Sequence, residues 1–145
     1  MSVVWTVLAS GFAQIVASHV LMFGCWYPLG KRVDRELCTN QAFRPMNDLR
    51  MGLYMPFISP FVHAILLICA RSVFGGALNA YFASYDSPIY AGMAFSLAFW
   101  LLGQAHGIII DYCCYKHNIF MSFWFLLLSA VLQAVNGAVV FWMLS

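Results

Sequence analysis

Residues 117–145 read HNIFMSFWFLLLSAVLQAVNGAVVFWMLS, and none of them is Asp, Glu, Lys or Arg. As a helix rising about 1.5 Å per residue, this stretch is long enough to cross the roughly 30 Å hydrocarbon core of a bilayer. Three further charge-free stretches precede it, from Met1 to Gly30, from Met51 to Ala70 and from Ser87 to Ile110. The chain has 145 residues, 63% hydrophobic and 8% charged, with seven Lys or Arg against five Asp or Glu. A soluble domain carries about 25% charged residues, so a soluble fold is excluded. The pattern predicts an all-α protein, a four-helix transmembrane bundle with spans near residues 3–26, 52–73, 88–112 and 119–144. A transmembrane barrel would show short alternating segments instead of these long apolar runs.

The first span lacks a basic leader region, and its apolar run continues to Trp26, beyond the length of a signal-peptide core, so it is expected to stay in the mature chain. Nothing resembles a soluble domain or a long linker, and residues 1–145 are expected to form one integral membrane domain. Charge sets the expected orientation. Lys31, Arg32, Arg35, Arg44, Arg50 and Lys116 fall in the first and third loops, and only Arg71 lies toward the other side. The positive-inside rule then makes 27–51 a cytoplasmic loop and puts both termini on the non-cytoplasmic face. Within that loop Arg32 and Glu36 stand four apart, which fits a short interfacial helix after Gly30. Trp5, Trp26, Tyr27, Trp124 and Trp142 lie near span ends, as interfacial anchors do.

Polar residues inside the spans are costly to insert and face other protein. The first span has Ser10, Gln14 and Ser18 at spacing four, with His19 beside them; the second has Ser59 and His63. The third has Ser96, Trp100, Gln104 and His106, and the fourth has Ser129, Gln133 and Asn136. Turning these stripes inward gives a polar bundle centre. Gln14, His19, His63, Gln104, His106, Gln133 and Asn136 are its candidate ligand-binding residues. The pairs Gly92–Ser96 and Gly103–Gly107 have the spacing that permits close helix contact.

Two readings of this centre stand side by side. His19, His63 and His106 at comparable depth can bind a metal or haem, or relay protons. Alternatively, all three hydrogen-bond Ser, Gln and Asn across helices and hold the bundle together. Pro56 and Pro60 likewise either free carbonyls that line a cavity or sit harmlessly near a helix start. Cys25, Cys38, Cys113 and Cys114 cluster at the expected cytoplasmic face with no C-x-x-C, which fits apolar filling or palmitoylation better than a metal site with His117. Asp111 is the one acid bordering the expected interior. No nucleophile and base pair, phosphate loop or carboxylate dyad is present, so no catalytic residue is assigned.

The stretch Gly24-Cys25-Trp26-Tyr27-Pro28-Leu29-Gly30-Lys31 resembles the signature of the small four-helix membrane proteins called domain of unknown function 1761. Gly137 five residues before Trp142 is similar to that family's last helix. Here the residue usual between Tyr and Pro is absent, as is the Phe before Gly. The resemblance implies a four-helix membrane fold and no established chemistry. Within it, Pro28 and Gly30 are expected to stop the first helix. The basic first loop, with Arg32, Arg35, Glu36 and Asn40, is also faintly similar to that of the membrane-associated glutathione and eicosanoid enzymes, but the third span lacks the arginines they require.

The expected activity is binding or transport of a small molecule through the polar centre. The alternatives are an accessory subunit of a larger membrane complex and a haem or metal redox protein using the central histidines. Lipid is the expected environment, a homo-oligomer or larger complex the expected assembly, and no nucleic acid is expected as partner.

Overall fold

A computed structural model describes residues 2–39, 53, 57–82, 84–105, 107–108 and 119–145. Four helices account for nearly all of them: α1 (Val3–Thr39), α2 (Ser59–Phe82), α3 (Pro88–Trp100) and α4 (Ile119–Leu144). A π-helical turn, Leu101–Ala105, continues α3. No strand occurs among the described residues. The start of α3 is set locally: Ser87 caps it by accepting from the Ile89 N–H, and Pro88 occupies the first turn, where its missing donor costs nothing.

Side-chain placement inverts the polarity of a water-soluble fold. Thr6, Ser10, Gln14, Ser96 and Asn136 are fully or almost fully buried, whereas Val4, Trp5, Val16, Val73, Leu102, Phe123 and Trp142 are among the most exposed side chains. Water would penalise that arrangement, because each exposed aliphatic residue forgoes roughly 1.5–3 kcal/mol of burial. Lipid removes the penalty. Each helix also contains a segment long and apolar enough to cross a bilayer: Val3–Leu21, Ser59–Gly76, Pro88–Ala105 and Ser122–Leu144. The protein is a four-helix transmembrane bundle, and hence a multi-pass membrane protein.

Contacts fix the helix directions. On α3 and α4, Gly92 lies against Gly137 and Trp100 against Ser129, so the two run antiparallel. Gly11 of α1 lies against Phe61 of α2, and His19 lies against Phe57, two residues before α2, so these two also run antiparallel. α4 touches all three other helices, most extensively α3. Leu67 and Ile68 of α2, Phe95 of α3 and Val140 of α4 form the apolar core, with Val7, Ala70, Phe141 and Leu144 packed round it. Ring contacts run through it, Phe95 to Phe141 at 5.3 Å and Phe95 to Phe99 at 5.0 Å.

The α3–α4 seam is backbone against backbone. A Cβ on Gly92 would overlap the Gly137 carbonyl, and one on Gly137 would overlap the Gly92 carbonyl and the Ser96 hydroxyl. Of the two small-residue steps in the third span, Gly92–Ser96 makes this contact. Gly103 and Gly107 face open space instead, with nothing within 4 Å of a Cβ built on either. Gly103 lies within the π turn and is exposed.

The stop expected at Pro28 and Gly30 does not occur. α1 runs through both residues to Thr39, 37 residues in all, or about 55 Å. Pro28 removes one backbone donor, and the next turns contain good helix formers with Arg32 and Glu36 at helix-stabilising spacing. The interfacial helix expected after Gly30 is therefore the continuation of α1. Its 18 residues beyond the apolar segment extend about 27 Å further.

Candidate functional site

The polar stripes meet in pairs and triplets. His63 of α2, Gln104 of the π turn and Gln133 of α4 form one chain: Gln133 Nε2 donates to Gln104 Oε1 at 3.3 Å, and Gln104 Nε2 lies 3.1 Å from His63 Nε2. An amide nitrogen can only donate, so with the Gln104 amide in this orientation His63 Nε2 is the acceptor and the ring proton is on Nδ1. In this arrangement the chain runs from α4 through α3 to α2.

Trp100 precedes the π turn Leu101–Ala105 and Gln104 lies within it. Trp100 Nε1 donates to Ser129 Oγ at 2.8 Å on α4, and Ser129 in turn donates to the Leu126 carbonyl. Gln104 instead reaches α2 and α4 together.

Gln133 and Asn136 are one turn apart on α4 and share a face. Asn136 is fully buried, and its Oδ1 accepts from Ser10 Oγ of α1. Nearby on α1, buried Gln14 donates from Nε2 to the Pro60 carbonyl at 3.3 Å. The polar groups therefore form a belt to which all four helices contribute. Its donors and acceptors are hydroxyls, amides, one neutral imidazole and a carbonyl. No Asp, Glu, Lys or Arg of the described residues belongs to it.

Among the sequence candidates, Gln14, His63, Gln104, Gln133 and Asn136 lie in the belt. His19 is placed differently: its Nδ1 pairs with the Ile15 carbonyl of its own helix at 2.7 Å and its ring lies 6.0 Å from that of Phe57. His106 and Asp111 fall outside the described residues, as do Pro56, Cys113, Cys114 and His117. Cys69 is an exposed free thiol. Among the described residues no three His, Cys, Asp or Glu side chains gather closely enough to hold a metal ion. His63, the histidine placed centrally, already has its Nε2 engaged by Gln104.

Three contributions escaped the sequence reading. Thr6 is fully buried and donates to the Ser2 carbonyl; it stands four residues before Ser10, so the same spacing rule would have found it. Ser122, buried seven residues before Ser129, extends the α4 stripe in the same way. The Pro60 carbonyl gives no side-chain signal, and only the proline pair pointed toward it.

Arg71 is the single charged side chain in the four apolar segments. It does not reach the belt. Its Nη2 donates to the Leu144 carbonyl at 3.2 Å and its guanidinium lies 4.7 Å over the Phe141 ring. A cation there complements the negative end of α4 and ties α2 to it.

No protein-family model, curated protein or solved structure matches this chain.

Proposed function

We propose that this membrane protein binds or carries a small molecule at the polar belt in its bundle centre. The observation that carries the reading is the His63–Gln104–Gln133 chain, which joins three helices through a π turn. Helical backbones depart from α geometry at a cost, and such turns frequently coincide with functional sites. Purely structural polar contacts are met by pairs such as Trp100 with Ser129, which need no distortion to form. The resemblance to the domain of unknown function 1761 family, through Trp26 to Lys31, belongs to the same reading.

The orientation proposed with it keeps both termini on the non-cytoplasmic side, supported by six of the seven basic residues lying between the first and second or the third and fourth apolar segments. A reporter fused after Ser145 that is active only outside the cytoplasm should be active; a reporter active only inside would reverse the orientation.

Native mass spectrometry of the protein released from mild detergent tests the binding reading. A small-molecule adduct on wild type that is lost in Gln104→Leu is the expected result. A stoichiometric second protein with no adduct would favour the accessory-subunit alternative instead. A Soret band in the visible spectrum would favour haem held by the histidines.

A further inference from the structure

We infer that the belt takes an uncharged solute bearing a carbonyl or hydroxyl oxygen, and that the Nδ2 amide of Asn136 donates to that oxygen. The inference rests on the small-molecule reading above and narrows it to one chemical class.

Asn136 is the decisive residue. It is fully buried, yet its Nδ2 meets no hydrogen-bond acceptor among the described residues. Buried amide donors are almost always paired, because leaving one unpaired forfeits its hydration with no return. Rotating the amide does not cure the mismatch. Nδ2 would then face Ser10 and the carboxamide oxygen would be stranded instead, since Ser10 Oγ engages only one of the two atoms. One polar atom of Asn136 is therefore always left for a further partner.

The surroundings define what that partner is. Ser10, Gln14, His63, Gln104 and Gln133 supply hydroxyl, amide and neutral imidazole groups, and none supplies a formal charge. Arg71 stands eight residues beyond His63 on α2 and is occupied by the Leu144 carbonyl and the Phe141 ring. An ion brought to Asn136 would be stripped of water without a counter-charge, whereas a neutral oxygen acceptor gains a bond at little desolvation cost. With Ser10 on Oδ1 and Nδ2 open, a cation is disfavoured further, because the open atom is a donor. Size is limited too: Gly137, next to Asn136, is in backbone contact with Gly92, so α3 leaves no room on that side for a bulky group.

Acetamide and acetate test the class, because they share a shape and differ in charge. The full-length protein in mild detergent is titrated with each while its melting temperature is followed. A ligand that binds only the folded state raises that temperature saturably. Expected is a saturable rise with acetamide and none with acetate at matched ionic strength. The acetamide effect should vanish in Asn136→Leu and persist in His19→Phe. Saturation-transfer NMR on the wild-type protein reads the same preference at the two methyl groups and does not depend on a variant folding. The inference is overturned if acetate acts as strongly as acetamide, if Asn136→Leu keeps the acetamide response, or if acetamide gives neither shift nor saturation transfer. An acetate response lost in Asn136→Leu would refute neutrality alone and leave the belt as a binding site. A co-purified adduct lost in Gln104→Leu, with no acetamide response, would likewise refute the class and not the site.

Discussion

Gly137→Ala places one methyl group where two helix backbones touch. A Cβ at this position would lie 2.7 Å from the carbonyl carbon of Gly92 and nearer still to its oxygen. Carbon atoms settle at about 3.5–4.0 Å, so the axes must part by about 1 Å. The atom in the way is backbone, which cannot rotate aside. A gap of that size forfeits between a quarter and a half of each dispersion contact across the seam, including those of Phe95 with Phe141. Overpacking of this kind costs about 1–3 kcal/mol. For a chain of this length that lowers Tm by roughly 4–12 °C, at about 4 °C per kcal/mol. Gly92→Ala should cost a similar amount, since its Cβ meets the Gly137 carbonyl. The double variant gives the sharper test. Once one alanine has forced the helices apart, the second meets a seam already open, so the pair should cost less than the sum by about 0.5 kcal/mol or more. Thermal unfolding of the four proteins in one detergent measures the cycle. Single variants as stable as wild type, or a strictly additive double variant, would refute the backbone-contact account of the seam.

Gly75→Ala and Gly76→Ala should behave in the opposite way, because nothing lies within 4 Å of a Cβ at either position and alanine favours a helix by up to about 1 kcal/mol; the same melts should show no loss of stability. Gln104→Leu leaves His63 and Gln133 without their shared partner and should cost about 1–2 kcal/mol in detergent unfolding, and combined with Gln133→Leu it should be sub-additive; additivity would mean that the two amides do not interact. Arg71→Met loses both the bond to the Leu144 carbonyl and the stacking over Phe141, for about 1–2 kcal/mol, with Arg71→Lys falling between it and wild type because an ammonium lacks the planar face; equal stability of all three would remove the clamp. Trp100→Phe removes the donor to Ser129 and should cost about 1 kcal/mol, while Ser129 keeps its own bond to the Leu126 carbonyl.

The fold class was legible because charge is so sparse that its gaps delimit the helices. The belt was legible in part for a related reason: Gln14, Gln104, Gln133 and Asn136 are costly in a bilayer and so advertise that they face protein. Helix periodicity assigns such residues to a face of their own helix only. It does not say which neighbour they meet, and His19 illustrates the consequence, since its Nδ1 pairs with the Ile15 carbonyl of its own helix. The π turn at Leu101–Ala105 has no residue signature, so the division of labour between Trp100 and Gln104 could not be read from their spacing. Pro28 and Gly30 misled for a different reason. They are strong stop signals in isolation, but the outcome at any one position depends on the helix-forming residues that follow, here Lys31 to Leu37. Gly103 and Gly107 matched a close-packing spacing as well as Gly92 and Ser96 did, and only a facing partner, Gly137, separates the two.

The hydrogen-bond chain from Gln133 to His63 is also a two-position device. Each amide has a nitrogen end and an oxygen end, so with every bond made the chain can point only one way or the other. Pointing toward α2, it requires the His63 proton on Nδ1. Pointing toward α4, it requires that proton on Nε2, both glutamine amides turned over, and the Gln133 oxygen presented where its nitrogen had been. No halfway arrangement keeps both bonds. The position of one proton on a ring in α2 is thereby coupled to the orientation of a side chain on α4, without any charge having to reside in the membrane.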